Sequence, residues 1–231
     1  MASPTTDSLI RSIVTSQSSS SNAVLYDRNC RQCARLSAFL DEVKAKHPSY
    51  ACAPVEPFGD PKARLLIVGL APGLHGANAT GRPFTGDHAG IMLFETLHRF
   101  GFSSQAQSAP GDGLTLKACR ITNAVKCLPP QNKPVAEEVN RCRQYLVSEL
   151  NTIERGGVIL TLGKISHDSV LRALGVPVSS MPFRHLGEYS LPGERTLLSS
   201  YHCSRYNTQT GRLTAKMFNA VFRRASELVT L

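Results

Sequence analysis

No stretch of the chain supplies the roughly 18 consecutive apolar residues that a membrane-spanning helix needs, so no span is expected. The N-terminus has no compact apolar segment followed by a cleavage site. A secretory leader is therefore not expected, and the protein reads as intracellular rather than secreted: cytoplasmic, at the nucleoid in a bacterium. Cysteine numbers seven, which is odd and has no export signal beside it, so a disulfide framework is not expected. Acidic residues are scarce: 17 Asp and Glu stand against 26 Lys and Arg, a formal net charge of +9. Such a balance favours a polyanionic partner, most simply nucleic acid, and a merely solvated basic surface is the other reading. No internal repeat occurs. The glycine-rich turn "GLAPG" lacks the lysine of a P-loop and the third glycine of a dinucleotide fingerprint. No phosphate-binding lysine or metal-binding acid pair accompanies it, which removes the basis for a nucleotide-binding enzyme.

What is present suits one large domain: 231 residues, 42% of them hydrophobic. Residues 1–23 contain "SQSSSSN" and read as a disordered Ser-rich tail, with at most a short helix over Asp7 to Val14. Residues 24–231 read as a single domain. Leu36, Phe39, Leu40 and Val43 recur at helical spacing after Cys30 and Cys33. Four segments of strand length follow: Leu65 to Leu70, Ala118 to Val125, Val158 to Leu162 and Thr196 to Ser200. Helical patterns separate them. One begins near Asp87, with Ile91, Phe94 and Leu97 on a face. Another follows Pro134, with Val135, Val139, Cys142, Leu146 and Leu150. The remaining two run from Lys164 to Leu174 and from Arg212 to Leu228. This alternation predicts an α/β protein with a parallel sheet covered on both faces. Ligands of such sheets bind at the carboxyl ends of the strands, where the unusual segments of this chain fall.

The first strand runs into "LAPGLHGANATGRPFTGD". Gly69 and Gly73 permit close backbone approach and Pro72 fixes the turn. Phe84 sits among polar residues and glycines, where it either stacks on a planar base or simply packs. Asp87 stands where a helix begins, so it caps that helix, acts in chemistry, or does both. Asn78 is a second polar candidate, with a turn role as the alternative. Asn123 ends the second strand and offers a donor and an acceptor to one base edge; turn chemistry is again the alternative. The prolines of "LPPQNKP" require an extended loop until Pro134 opens a helix. His202 lies just past the fourth strand, placed to donate to a developing anion if it is not structural. In "CSRYNTQTG", Arg205, Tyr206 and Asn207 are candidates to contact DNA, or form an ordinary solvated loop. Cys30 and Cys33 form a C-x2-C clip, and fourteen residues separate Cys127 from Cys142. Four such thiolates suit an iron–sulfur cluster or a structural zinc, with four buried free cysteines as the alternative.

Together these segments resemble the iron–sulfur uracil-DNA glycosylases, most closely family 5. The resemblance rests on the C-x2-C clip, "FGDPKARLLIVGLAPG", "GANATGRPFTGD", "ITNAVKCLPPQNKP", the Cys127 to Cys142 gap and "YHCSRYNTQTGRL", in that order from about Cys30 to Leu228. It implies a three-layer α/β/α fold with a four-stranded parallel sheet. It also implies a structural [4Fe–4S] cluster on Cys30, Cys33, Cys127 and Cys142. The expected activity is hydrolysis of the glycosidic bond of uracil, and of other deaminated bases, in double- or single-stranded DNA by a monomer. Family 4 carries a glutamate where this chain has Leu70, so another group must handle the water, with Asp87 first and Asn78 as the alternative. Gly69, Leu70, Ala71, Gly73, Asn78 and Phe84 would border the base, with Asn123 and His202 acting on it. Cys203 departs from the proline usual in the wider superfamily. The rival reading is a non-catalytic iron–sulfur module that binds DNA or senses redox state.

Overall fold

Three short segments are buried at every position: Leu65–Gly69 (β2), Cys119–Asn123 (β3) and Val158–Leu162 (β4). Strands covered on both faces are apolar or neutral at nearly every position, Arg120 in Cys119–Asn123 being the charged exception. In the computed structural model, which describes residues 26–229, they form the centre of a sheet with Phe58–Gly59 (β1), Glu188–Leu191 (β5) and Arg195–Ser200 (β6). The strand order is β1-β3-β2-β4-β6-β5. The inner four strands run parallel, with Gly69 opposite Asn123 and Leu162 opposite Ser200. The outer two pair antiparallel. The Ser-rich tail and its Asp7 to Val14 segment lie outside the described residues.

The α/β class therefore holds, but the sheet is a mixed one of six strands rather than four parallel strands. The two additions have little sequence signal. β1 is two residues long, too short for any periodicity. β5 reads Glu-Tyr-Ser-Leu and folds back on β6 through a tight turn at Pro192 to Glu194. Boundaries shift as well. The second parallel strand starts at Cys119, because Ala118 has a left-handed φ of +51°.

Side chains alternate between two cores. Leu65 and Ile67 face one side, with His88–Arg99 (α3) and Ala215–Val229 (α7) packed over them. Leu66 and Val68 face the other, under Ala136–Leu150 (α4) and Lys164–Ala173 (α5). The apolar stripe of α3 is Ala89, Gly90, Leu93, Phe94 and Leu97, and Ile91 is 58% exposed. A spacing of 3.6 residues per turn favours that stripe over the expected Ile91–Phe94–Leu97 set. Val135 is an exposed N-cap rather than part of the buried face of α4. The last helix begins at Ala215, three residues later than expected. Ala34–Lys46 (α1) lies apart from the sheet and buries Leu36, Leu40 and Val43, Leu36 against Val125, Cys142 and Tyr145. Beneath that contact, Lys126 is fully buried and pairs with Glu149 and Thr122. Two four- to five-residue helices, Ala77–Thr80 (α2) and Arg205–Gln209 (α6), lie on the loops beyond β2 and β6.

Candidate active site

The loops after β2, β3 and β6 meet over the carboxyl edge of the sheet and enclose a cavity of about 710 Å³. Leu70, Ala71, Gly73, Phe84, Asp87, Asn123, His202 and Arg205 line it. These residues span 136 positions of the sequence, so the parallel topology gathers them.

Gly69 lies under this cavity. A Cβ there would sit 2.7 Å from the Phe84 ring and closer still to the Asn123 amide oxygen, so only glycine admits both side chains. Phe84 is 6% exposed and has a left-handed φ of +53°. An aromatic residue held there stores roughly 1–3 kcal/mol of strain, which the surroundings must enforce. They do so through a clasp. Arg82 binds Asp112 at 2.8 Å and the Ser108 hydroxyl at 3.0 Å, and stacks 4.5 Å over Phe58. Thr85 bonds the same serine at 2.8 Å. Burial of Asp112 opposes its charge, but the Ala109 amide, Arg82 and the Leu114 amide outweigh burial and hold its carboxyl at about 2. The Phe84 ring stacks against His202 at 5.9 Å between centroids, 28° between planes.

Asp87 does cap α3, accepting from the Gly90 amide through Oδ1 at 3.0 Å. Its other oxygen faces Gly73 and Gly76. The carboxylate is thus oriented by its capping bond while it lines the cavity. Burial pushes the His202 pKa below the usual 6.5, more than the Asp87 charge raises it. The imidazole is therefore neutral at pH 7.

Two sequence candidates occupy other places. Asn78 is fully buried behind the loop, off the cavity wall, with Nδ2 donating to Cys52 Sγ at 3.5 Å. Asn207 donates to the His202 carbonyl at 2.8 Å, which fixes the histidine loop from inside. Arg205 and Tyr206 are exposed beside the cleft, Tyr206 by 70%. The cavity also takes His75 and Asn132, which sequence reasoning did not single out. Asn132 and its neighbour Gln131 both adopt φ of +56°, a turn that the "PPQN" run permits but does not announce. Cys203 is fully buried and its thiol donates to the Ala89 carbonyl at 3.4 Å, tying the histidine loop to the start of α3.

Cys30, Cys33, Cys127 and Cys142 line one separate cavity with Leu36, Val125 and Tyr145. Burial, then the neighbouring thiols, pushes Cys127 up to about 12, and burial pushes Cys142 up to about 11. The Lys126 amide donates to Cys142 Sγ at 3.3 Å. Among the described residues no three His, Cys, Asp or Glu side chains are grouped as holders of one metal ion. A cavity walled by four cysteines, one already accepting an amide hydrogen bond, offers the thiolate donors that an iron–sulfur cluster or a structural zinc takes.

A sheet edge with this set of loops is the mark of a superfamily: residues 56–226 match the family model for the uracil DNA glycosylase superfamily. Relatives narrow it. The chain is 47% identical over 207 residues to a type-5 uracil-DNA glycosylase of Thermus thermophilus, covering 87% of this chain and 94% of the relative. It is 40% identical over 203 residues to a type-5 enzyme of Pyrobaculum aerophilum, covering 86% and 88%. It is 41% identical over 209 residues to one of Mycobacterium leprae, covering 86% and 91%. The chain belongs to the type-5 uracil-DNA glycosylase family.

Proposed function

We propose that this protein is a monofunctional DNA glycosylase that hydrolyses the N-glycosidic bond of uracil, and of other deaminated bases, in DNA, the entry step of base excision repair. The observation that carries this reading is the convergence of Asp87, Asn123, Phe84 and His202 on one cavity. A non-catalytic DNA-binding or redox-sensing module has no need of it.

A duplex buries its bases, so the damaged nucleotide must leave the stack, at a few kcal/mol and less in a mismatch. In the cavity its ring lies against Phe84, with Leu70, Ala71 and Gly73 as walls. Asn123 reads one polar edge of the base. As the C1′–N bond breaks, positive charge gathers on the sugar and negative charge on the base. His202 is neutral, so it donates a hydrogen bond to the base without transferring a full charge; one well-placed donor is worth about 3–4 kcal/mol. Asp87 holds the attacking water and offsets the sugar's positive charge, a contribution of about 10² to 10⁴-fold. Leu70, where type-4 enzymes are expected to have a carboxylate, cannot take this part.

The four-cysteine cavity would hold a [4Fe–4S] cluster on Cys30, Cys33, Cys127 and Cys142. A cluster there supplies cross-linking rather than a chemical step: it joins the start of α1 to the segment after β3 and to α4. Arg205 and Tyr206 border the cleft mouth, where they meet either a double- or a single-stranded substrate, and the enzyme acts as a monomer. The test is a labelled duplex with one U·G pair, incubated with protein and then with alkali. Strand cleavage at that position is expected; an intact strand under single-turnover conditions favours the non-catalytic module.

A further inference from the structure

Asp87 and His202 act on opposite charges of one transition state, yet they belong to distant parts of the chain. Asp87 caps α3, and His202 lies on the loop that leads into α6. Contacts that join the two pieces include the stack of Phe84 on His202 and the bond from the Cys203 thiol to the Ala89 carbonyl. A further one links His88 Nε2 to the Thr208 hydroxyl at 3.0 Å, across 120 positions of sequence. A thiol is a weak donor and a ring stack carries no hydrogen bond, so the His88–Thr208 bond is the strongest polar tie among them.

His88 directly follows Asp87 and is the first residue of α3. The direction of its bond follows from Thr208. That hydroxyl has one proton, and the Arg205 carbonyl at 3.0 Å and the Ser204 carbonyl at 3.3 Å compete for it. The oxygen is left to accept, so Nε2 of His88 carries the hydrogen and donates. Packing does little to orient this ring. It is partly buried and borders three hollows: the site cavity, one of about 510 Å³ beside Phe84 and Asp87, and one of about 280 Å³ between α3 and α6. With open space on several sides, the ring keeps its place through the hydrogen bond. On the far side of that bond, Asn207, next to Thr208, donates to the His202 carbonyl at 2.8 Å. A continuous path therefore runs from Asp87 through His88, Thr208 and Asn207 to His202.

We propose that His88 is a positioning residue for excision: its bond to Thr208 holds the His202 loop at one span from Asp87, so that the donor to the departing base and the carboxylate that holds the water address the same nucleotide. This rests on the glycosylase reading and deepens it. A misplacement of about 1 Å between such groups costs on the order of 10²-fold in rate. Ground-state binding needs no such registration, so loss of the tie should fall on the chemical step and spare affinity.

The experiment measures three things: single-turnover excision from a U·G duplex, affinity for the same duplex carrying 2′-fluoro-deoxyuridine, whose glycosidic bond resists cleavage, and melting temperature. His88→Leu and Thr208→Val each remove the bond at similar volume. Each should excise about 10 to 10²-fold more slowly, with affinity unchanged. His88→Gln, whose amide can donate from nearly the place of Nε2, should recover most of the rate, as should Thr208→Ser, which retains the hydroxyl. The double variant His88→Leu, Thr208→Val should be no slower than the slower single one, because the same bond is lost in each. Full-speed excision by Thr208→Val would overturn the tie, as would rate losses that multiply in the double variant. Rates that simply follow the melting temperature across the variants, with no recovery in His88→Gln, would also overturn it. Failure of the glycosylase reading would appear separately, as an intact strand when the unaltered protein meets the cleavable U·G duplex.

Discussion

Gly76 leaves the space that the Asp87 carboxylate fills: a Cβ on residue 76 would stand 2.5 Å from Oδ2. Since Oδ1 is fixed by the Gly90 amide, the carboxylate cannot move away without breaking its capping bond. Gly76→Ala should therefore misplace it by a fraction of an ångström to 1 Å and slow single-turnover uracil excision by about 10 to 10²-fold. Asp87→Asn is the cleaner companion. Asparagine caps helices as well as aspartate does, so stability should hold while excision falls by about 10² to 10⁴-fold. The pair of measurements is single-turnover rate and melting temperature; full excision by Asp87→Asn would take the carboxylate out of the chemistry.

Acid should weaken the fold from about pH 6.5 downward. His167, His185 and His202 all have pKa values below the usual 6.5, in each case chiefly because burial disfavours the charged ring. Between 6.5 and those lowered values the unfolded chain binds more protons than the native one, so stability falls as pH falls, and levels off below them. Urea unfolding at pH 7.5 and 5.5 should show the loss. His167→Gln should reduce it, because the ring between the Ser199 hydroxyl and the Met181 carbonyl no longer titrates. By the same logic, the acidic limb of excision that reports His202 should lie below 6.5.

Glu149 and Lys126 form an ion pair that is essentially inaccessible to water. Removing one partner leaves the other charged and buried, which typically costs about 3–5 kcal/mol. Glu149→Gln should lower the denaturation midpoint accordingly. The double variant Lys126→Met, Glu149→Leu should recover much of the difference, since two apolar side chains of similar volume need no compensation. If the single and double variants unfold together, the pair has no such role.

Cysteine substitutions divide by location. Cys127→Ser and Cys142→Ser should give protein without the brown colour and iron content of a cluster, about four irons per chain in the unaltered protein. Cys119→Ser and Cys203→Ala change buried thiols outside the four-cysteine cavity, and the colour should remain. Iron analysis and the visible spectrum of each purified protein decide it.

The parallel core of the fold was readable because Leu65–Gly69 and Val158–Leu162 are buried on both sides and carry an almost continuous apolar signal, whereas the stretch ending at Asn123 is buried throughout but interrupted by Arg120 and Thr122. The edge strands were not, since β1 is too short for a pattern and β5 alternates only weakly. At the site, Phe84 stood out as an aromatic in a glycine-rich loop, and Asp87 and His202 by their places at element ends. Asn78 has the same chemistry as the asparagine that lines the cavity, and only coordinates separate one that faces a cavity from one that holds a loop from behind. Asn132 reaches the cavity through a turn whose positive φ angles no spacing rule encodes.

The brevity of β1 and β5 has a bearing on pairing with other copies. A long bare border would offer neighbouring copies a template for extending the ladder. Among the described residues that border is two residues long on one flank and four on the other. Extending the ladder with a second copy would therefore gain few hydrogen bonds at either flank.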